Sequence, residues 1–235
     1  MLKPLWLHAA AAIAFTVPMQ TFAEAQPAQA APAASEDARL YAFLDQEFAE
    51  ELRQRPQLAT QLGSKEGEDR LDDISDAAQL RRLEWRRASV ARMKARFDRT
   101  KLSPTGQTNY DIWALELDRA ELTYRFRQYA PPFYSFLYSV HSRLPDFLIN
   151  THNVQDAADM RAYAARLRAM PAVLDEAIAQ SRASDAKGIR APKFEIERVI
   201  AGSRAIVSGA PFDGGPVSPL WADAQAKVGK LQTGG

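Results

Sequence analysis

The chain has 235 residues, 46% of them hydrophobic and 25% charged, and it contains no cysteine. That composition excludes a wholly disordered chain, a collagen-like repeat and a polytopic membrane protein, and the missing thiols exclude disulfides, thiolate nucleophiles and Cys-based zinc or iron–sulfur sites. Thirty Lys and Arg stand against 29 Asp and Glu, so no global field draws in nucleic acid or anionic lipid, and nucleic acid is not expected as a partner.

Lys3 precedes an apolar run from Pro4 to Met19 with Ala9 to Ala12 at its centre, followed by small residues. This order is that of a secretory signal. Thr21-Phe22-Ala23 and Ala28-Gln29-Ala30 are both acceptable cleavage sites, so the signal covers residues 1–23 or extends to Ala30. The apolar run falls short of the ~20 residues a spanning helix needs, and His8 and Pro18 interrupt it. Stable membrane insertion after cleavage is therefore not expected, and the product is expected to be periplasmic or secreted. Residues 24–34, rich in Ala and Pro, read as a flexible lead-in.

From Ser35 onward the pattern is helix after helix. Ser35 is an N-cap with Glu36 and Asp37 behind it, at the positive end of the dipole. Leu40, Phe43, Leu44, Phe48 and Leu52 follow helical spacing until Pro56, and a shorter helical piece runs from Pro56 to Leu62 and stops at Gly63. A charged loop covers Ser64 to Asp73. Ser75 opens a long helix whose Leu80, Leu83, Val90, Met93 and Phe97 form one narrow apolar stripe. Ser103-Pro104 starts another, with Tyr110, Trp113, Leu117 and Tyr124 on its buried face. A helix is expected from near Asn153 through Met160, Tyr163, Ala164 and Leu167, with a junction at Pro171 and a continuation through Val173, Leu174 and Ile178. Gly188 closes that element. Ala191-Pro192 starts the next, carrying Phe194, Ile196, Val199, Ile200 and Ile206. Gly209 to Pro216 reads as a loop, and Ser218-Pro219 caps a last helix with Leu220, Trp221 and Val228, whose apolar face needs something to lie on. No alternating β-branched run is long enough for a strand. The expected fold is all-α, a multi-helix assembly of about seven or eight helices without significant β-sheet.

Little in this pattern carries chemistry. The only histidines after the signal, His141 and His152, flank Arg143, Asp146 and Asn150, where a hydrolytic or metal site is conceivable. Zinc sites, however, draw three or four ligands from close spacings such as H-E-x-x-H, and no such motif occurs in the chain. No G-x-S-x-G elbow and no phosphate-binding glycine loop is present. Acid pairs at Glu50-Glu51, Asp72-Asp73 and Glu195 with Glu197 read as solvated. The segment from Arg81 to Arg99 holds Arg81, Arg82, Arg86, Arg87, Arg92, Lys94, Arg96 and Arg99 against Glu84 and Asp98, and reads as the solvated back of an amphipathic helix. The aromatic stretch from Tyr129 to Leu148, including Pro131-Pro132-Phe133-Tyr134-Ser135-Phe136-Leu137-Tyr138, reads first as packing between helices and second as the lining of a groove. No catalytic, cofactor-binding or metal residue is assigned.

An ordered series of segments resembles the bacterial DUF885 family of exported, helical, zinc-metallopeptidase-like proteins. The series runs Pro56-Gln57-Leu58-Ala59-Thr60-Gln61-Leu62-Gly63, Asp69-Arg70-Leu71-Asp72-Asp73-Ile74-Ser75, Leu102-Ser103 before Tyr110-Asp111, and Leu144-Pro145-Asp146-Phe147-Leu148. It continues through Asp156-Ala157 to Tyr163, Arg166-Leu167 and Gly188-Ile189-Arg190-Ala191-Pro192. The resemblance implies a chain matching the N-terminal half of much longer proteins whose H-E-x-x-H-type motif lies in their C-terminal half. Residues 35–231 are then expected to be an incomplete helical N-terminal region, inactive alone. On this reading zinc belongs only to a full-length member and this chain holds no cofactor. The expected partners are a peptide substrate or the missing C-terminal half. The alternative is a stand-alone exported helical module that binds peptides or a partner protein.

Overall fold

The computed structural model describes residues 35–233; the signal segment ending at Ala23 or Ala30, and the lead-in to residue 34, lie outside them. The described residues are all-α, with no β-strand among them. In chain order the helices are α1 (Glu36–Gln54), α2 (Pro56–Gln61), α3 (Asp76–Arg96), α4 (Pro104–Phe126), α5 (Val140–Asn150), α6 (Ala157–Asp185), α7 (Lys193–Ile206) and α8 (Pro219–Thr233). Short 3-10 segments follow α3 and α4.

The helix starts fall where the cap residues stand. The hydroxyls of Ser35, Ser75 and Ser103 accept from the backbone N–H groups of Ala38, Ala78 and Gly106 at 3.1, 3.1 and 3.2 Å. The Asp156 carboxylate accepts from both Ala158 and Asp159. Each such cap contributes about 1 kcal/mol by satisfying otherwise orphaned donors. The caps also link elements. Asp37, in the first turn of α1, accepts from the Ser103 backbone N–H at 3.0 Å and from the Ser103 hydroxyl, so one carboxylate ties the start of α1 to the start of α4. Gly106 permits that approach, because a Cβ there would lie 2.5 Å from the Asp37 Oδ1.

Two apolar cores form. The first joins Leu40 and Phe43 of α1 to Met93, Phe97 and Leu102, with Tyr110, Trp113 and Ala114 of α4 packed against it. The second joins Leu144, Phe147 and Leu148 of α5 to Tyr163 and Met170 of α6. α8 lays Leu220 and Ala224 on this second core, while Trp221 and Val228 of the same helix stay exposed. Lys227 of α8 is itself buried and donates to the Leu148 and Ile149 carbonyls at 2.6 and 3.3 Å and to Asp223 at 2.7 Å. It thereby fills acceptors that the C-terminal end of α5 leaves open.

A polar seam joins α6 to α2 and to the segment between α2 and α3. Arg166 of α6 is fully buried and has no carboxylate partner among the described residues. Its guanidinium donates to the Arg70 carbonyl at 2.8 Å, to Thr60 Oγ1 at 2.8 Å, to His152 Nδ1 at 2.7 Å and to the Pro56 carbonyl at 3.3 Å, while the ring of Phe147 lies 4.9 Å away. Lys65 reaches Asp159 at 2.6 Å, and Gln180 reaches the Ile74 carbonyl at 2.7 Å.

Two elements differ from the sequence-based expectation. Residues 140–150 form a helix despite Pro145 inside it, where only an aromatic stretch was expected. α6 runs unbroken through Pro171, where a junction was expected. A proline inside a helix costs about 3 kcal/mol, and burial on either side outweighs it: Leu144, Phe147 and Leu148 flank Pro145, and Met170 and Ala177 flank Pro171.

Candidate functional site

A cleft of about 690 Å³ opens between the first-core helices and α5 and α6. Its apolar lining includes Leu58 of α2, Leu83 of α3, Leu144 and Phe147 of α5 and Val173 of α6, and its charged lining includes Arg82, Arg86, Glu116 and Arg143. Clefts of this size with an apolar lining and a few convergent polar groups are where ligands bind.

Arg86 is the most unusual member. It is 7% exposed although it belongs to the basic run expected to be solvated. The 3-4 spacing of Leu83, Arg86, Val90, Met93 and Phe97 puts it on the same stripe as the core. Its guanidinium carbon lies 4.7 Å from the Trp85 ring and 4.2 Å from the Trp113 ring, and the two indoles meet edge to face at 6.4 Å. Nη2 donates to Glu51 Oε2 at 2.6 Å. Stacking between aromatic faces offsets part of the cost of removing a cation from water. The rest of the run is largely solvated, as expected, with Arg81, Arg87, Lys94, Arg96 and Arg99 exposed and Arg82 and Arg92 half-buried, and some of its members also bridge helices. Arg92 makes a forked pair with Glu47 of α1 at 2.6 to 3.0 Å, and Arg87 pairs with Glu121 of α4 at 3.0 Å.

The acids in and beside the cleft are engaged. Glu51, expected to be solvated, lies between Arg86 and Arg55. Asp72 and Gln57 exchange bonds, each side chain accepting the other's backbone N–H at 2.9 and 3.0 Å. Asp146 accepts from the Asn150 amide at 2.6 Å. Away from the cleft, Glu195 accepts the Phe136 N–H at 2.9 Å.

The two histidines stand in separate surroundings. His152 is 1% exposed, with Nδ1 accepting from Arg166 and Nε2 placed 3.3 Å from the Asp159 carbonyl. Burial first, then the Arg166 and Lys227 charges, push its pKa down to about 4, against the pull of the Asp159 carbonyl. It is a neutral Nε2–H imidazole. His141 packs beside Phe133 at a centroid distance of 6.3 Å and faces Gly202 of α7, where a Cβ would stand in ordinary contact with Nε2 at 3.4 Å. Burial lowers its pKa as well. No hydrogen bond joins His141 to Asp146 among the described residues. Nor do three His, Asp or Glu side chains converge there where a cation could sit; the donor set that zinc requires is not assembled by these residues.

The aromatic stretch divides. Phe133 and Phe136 are half-buried, while Tyr134, Leu137 and Tyr138 are exposed, Tyr138 at 78%. None of them lines the cleft. Among the described residues no helix is long and apolar enough to cross a membrane.

A family model described as "Bacterial protein of unknown function (DUF885)" matches residues 56–233, most of the chain. The chain belongs to DUF885. No curated protein and no solved structure matches it. The DUF885 match takes in α2 through α8, and with them most of the cleft. α1, which contributes Glu51, Gln54 and part of the first core, lies ahead of the matched residues.

The sequence reading placed Arg86 on the solvated face of its helix and gave Arg166 no structural place, whereas both are buried. The signal for both was the helical stripe. Arg166 follows Tyr163 by three and precedes Met170 by four, as Arg86 does between Leu83 and Val90.

Proposed function

We propose that this chain is the helical N-terminal portion of an exported, DUF885-type zinc-dependent peptidase, and that its cleft is one wall of the peptide-binding site. The observation that carries this reading is the cleft itself. It is long enough to be lined from six helices, apolar along Leu58, Leu83 and Phe147, and edged by side chains able to bond a backbone, such as Gln54, Gln57 and Gln61. An extended peptide needs both kinds of contact. The metal chemistry would lie outside these residues, and the chain alone would bind without cleaving.

The test is to titrate the purified chain with an unstructured acetylated peptide and to follow hydrolysis with zinc added. Saturable binding without cleavage, abolished by Leu58→Asp, is the expected result. Absence of binding, or zinc-dependent cleavage by the chain alone, overturns the reading. Export to the periplasm or beyond rests on the Met1 to Ala23 pattern, and N-terminal sequencing of the exported product checks it. An uncleaved Met1 would defeat that part. A second reading, a stand-alone module for a partner protein, is favoured by the exposure of Tyr134, Leu137 and Tyr138. Loss of partner binding on Tyr138→Ser, with peptide binding intact, would support it.

A further inference from the structure

Hydrogen-bond donors and acceptors in the cleft do not balance. Every acidic side chain that lines it has a partner: Glu51 with Arg86 and Arg55, Glu116 with Arg119, Asp72 with the Gln57 N–H, and Asp146 with Asn150. Several donors do not. Trp85 Nε1 and Arg86 Nη1 are closed to solvent and have no acceptor among the described residues, and Arg86 as a whole is more than nine-tenths buried. Arg82 gives one N–H to the Asp73 carbonyl at 2.8 Å and has no carboxylate partner among the described residues; burial pulls its pKa down. Arg143 is exposed, and its side chain makes no hydrogen bond or ion pair among them. All four residues line the same cleft.

An indole N–H and a guanidinium N–H can only donate. Left buried without an acceptor, each costs about 1–3 kcal/mol, and a native fold carries few such groups without reason. What relieves an excess of donors of positive sign is an anionic acceptor, and the planar fork of a guanidinium fits a carboxylate on two parallel bonds. We propose that the cleft binds a carboxylate of its ligand, received by Arg82 and Arg143, and by the unpaired N–H groups of Trp85 and Arg86 once the ligand parts the side chains that cover them. This rests on the reading of the cleft as a peptide site and names what that peptide must carry, either a free C-terminus or an acidic side chain.

Calorimetric titration of the purified chain separates these possibilities. The probes are tetra-alanine with a free C-terminus, its amide, and the acetylated amides of Ala-Glu-Ala and Ala-Gln-Ala. The charged member of at least one pair is expected to bind about tenfold tighter than its neutral partner, with the preference shrinking as salt is raised. A preference in the first pair assigns a C-terminus, one in the second an acidic side chain, and either supports the proposal. Arg143→Gln removes the preference without changing the thermal melt, because Arg143 holds nothing in the fold. Equal binding of charged and neutral peptides overturns the carboxylate site and leaves the peptide cleft standing. If no peptide binds, the peptide reading falls. Glutarate, a dicarboxylate without a peptide bond, then decides the rest: Arg143-dependent binding keeps the carboxylate site, and no binding overturns it.

Discussion

Acidification should unlock the polar seam between α6 and α2 through His152. In the fold its pKa lies near 4, against 6.5 for the free side chain. The folded chain therefore binds fewer protons than the unfolded chain between those values, and stability falls as pH drops through that window. The contribution is fully present above pH 6.5 and fully lost below pH 4. A separation of 2.5 units corresponds to about 3 kcal/mol at 1.36 kcal/mol per unit, of which about 2 kcal/mol is lost between pH 7 and pH 5. The structural cause is plain. Protonation turns Nδ1 from an acceptor into a donor aimed at the Arg166 N–H that now bonds to it at 2.7 Å. Urea unfolding at both pH values gives the loss in stability, and His152→Gln removes the share due to this ring, leaving that of His141. The sharper assay is an NMR titration of the imidazole itself, simple to assign because the sequence holds only three histidines. A His152 ring that titrates near 6.5, or a variant whose stability depends on pH as steeply as the parent, would refute the reasoning.

Two further perturbations test the packing. Glu51→Gln leaves the Arg86 guanidinium buried without its carboxylate and should cost about 3–5 kcal/mol; the double replacement Glu51→Met with Arg86→Met should recover much of that, and a double variant no more stable than the single one would show the pair to be irreplaceable. Gly106→Ala should lower stability by about 1–2 kcal/mol despite the better helix propensity of alanine, because the added Cβ would meet Asp37 at 2.5 Å; a thermal melt at or above that of the parent would contradict the close approach.

The helices themselves were legible because local signals set them. Ser35, Ser75 and Ser103 each cap where they stand, and the apolar stripe of α3 is read from spacing alone. α5 escaped because Pro145 and a run of aromatics hide a helix whose justification is tertiary: Leu144, Phe147 and Leu148 find their core only when α6 arrives. α6 looked interrupted for the same reason, since nothing local in Pro171 tells that Met170 and Ala177 are buried on both sides. Arg86 was placed on the solvated face and Arg166 given no place because residue type was given more weight than position. Each stands on an apolar stripe, and a cation on a stripe announces either an ion pair or a set of carbonyls. The cleft lay beyond reach altogether. Its walls come from stretches as far apart as Glu51 and Val173, and no window of sequence contains both.

The polar seam bears on how the cleft can change its width. Apolar surfaces tolerate sliding, since one methyl group replaces another at little cost, whereas a hydrogen bond loses most of its strength within a fraction of an ångström or a few tens of degrees. Arg166, Lys65 and Gln180 therefore act as spacers of fixed length between α6 and the wall made by α2 and the segment before α3. The cleft should open by discrete steps as these bonds let go, rather than by continuous breathing. A ligand that needed a wider cleft would have to release one of them, so the same bonds that hold these elements together also set which ligands fit.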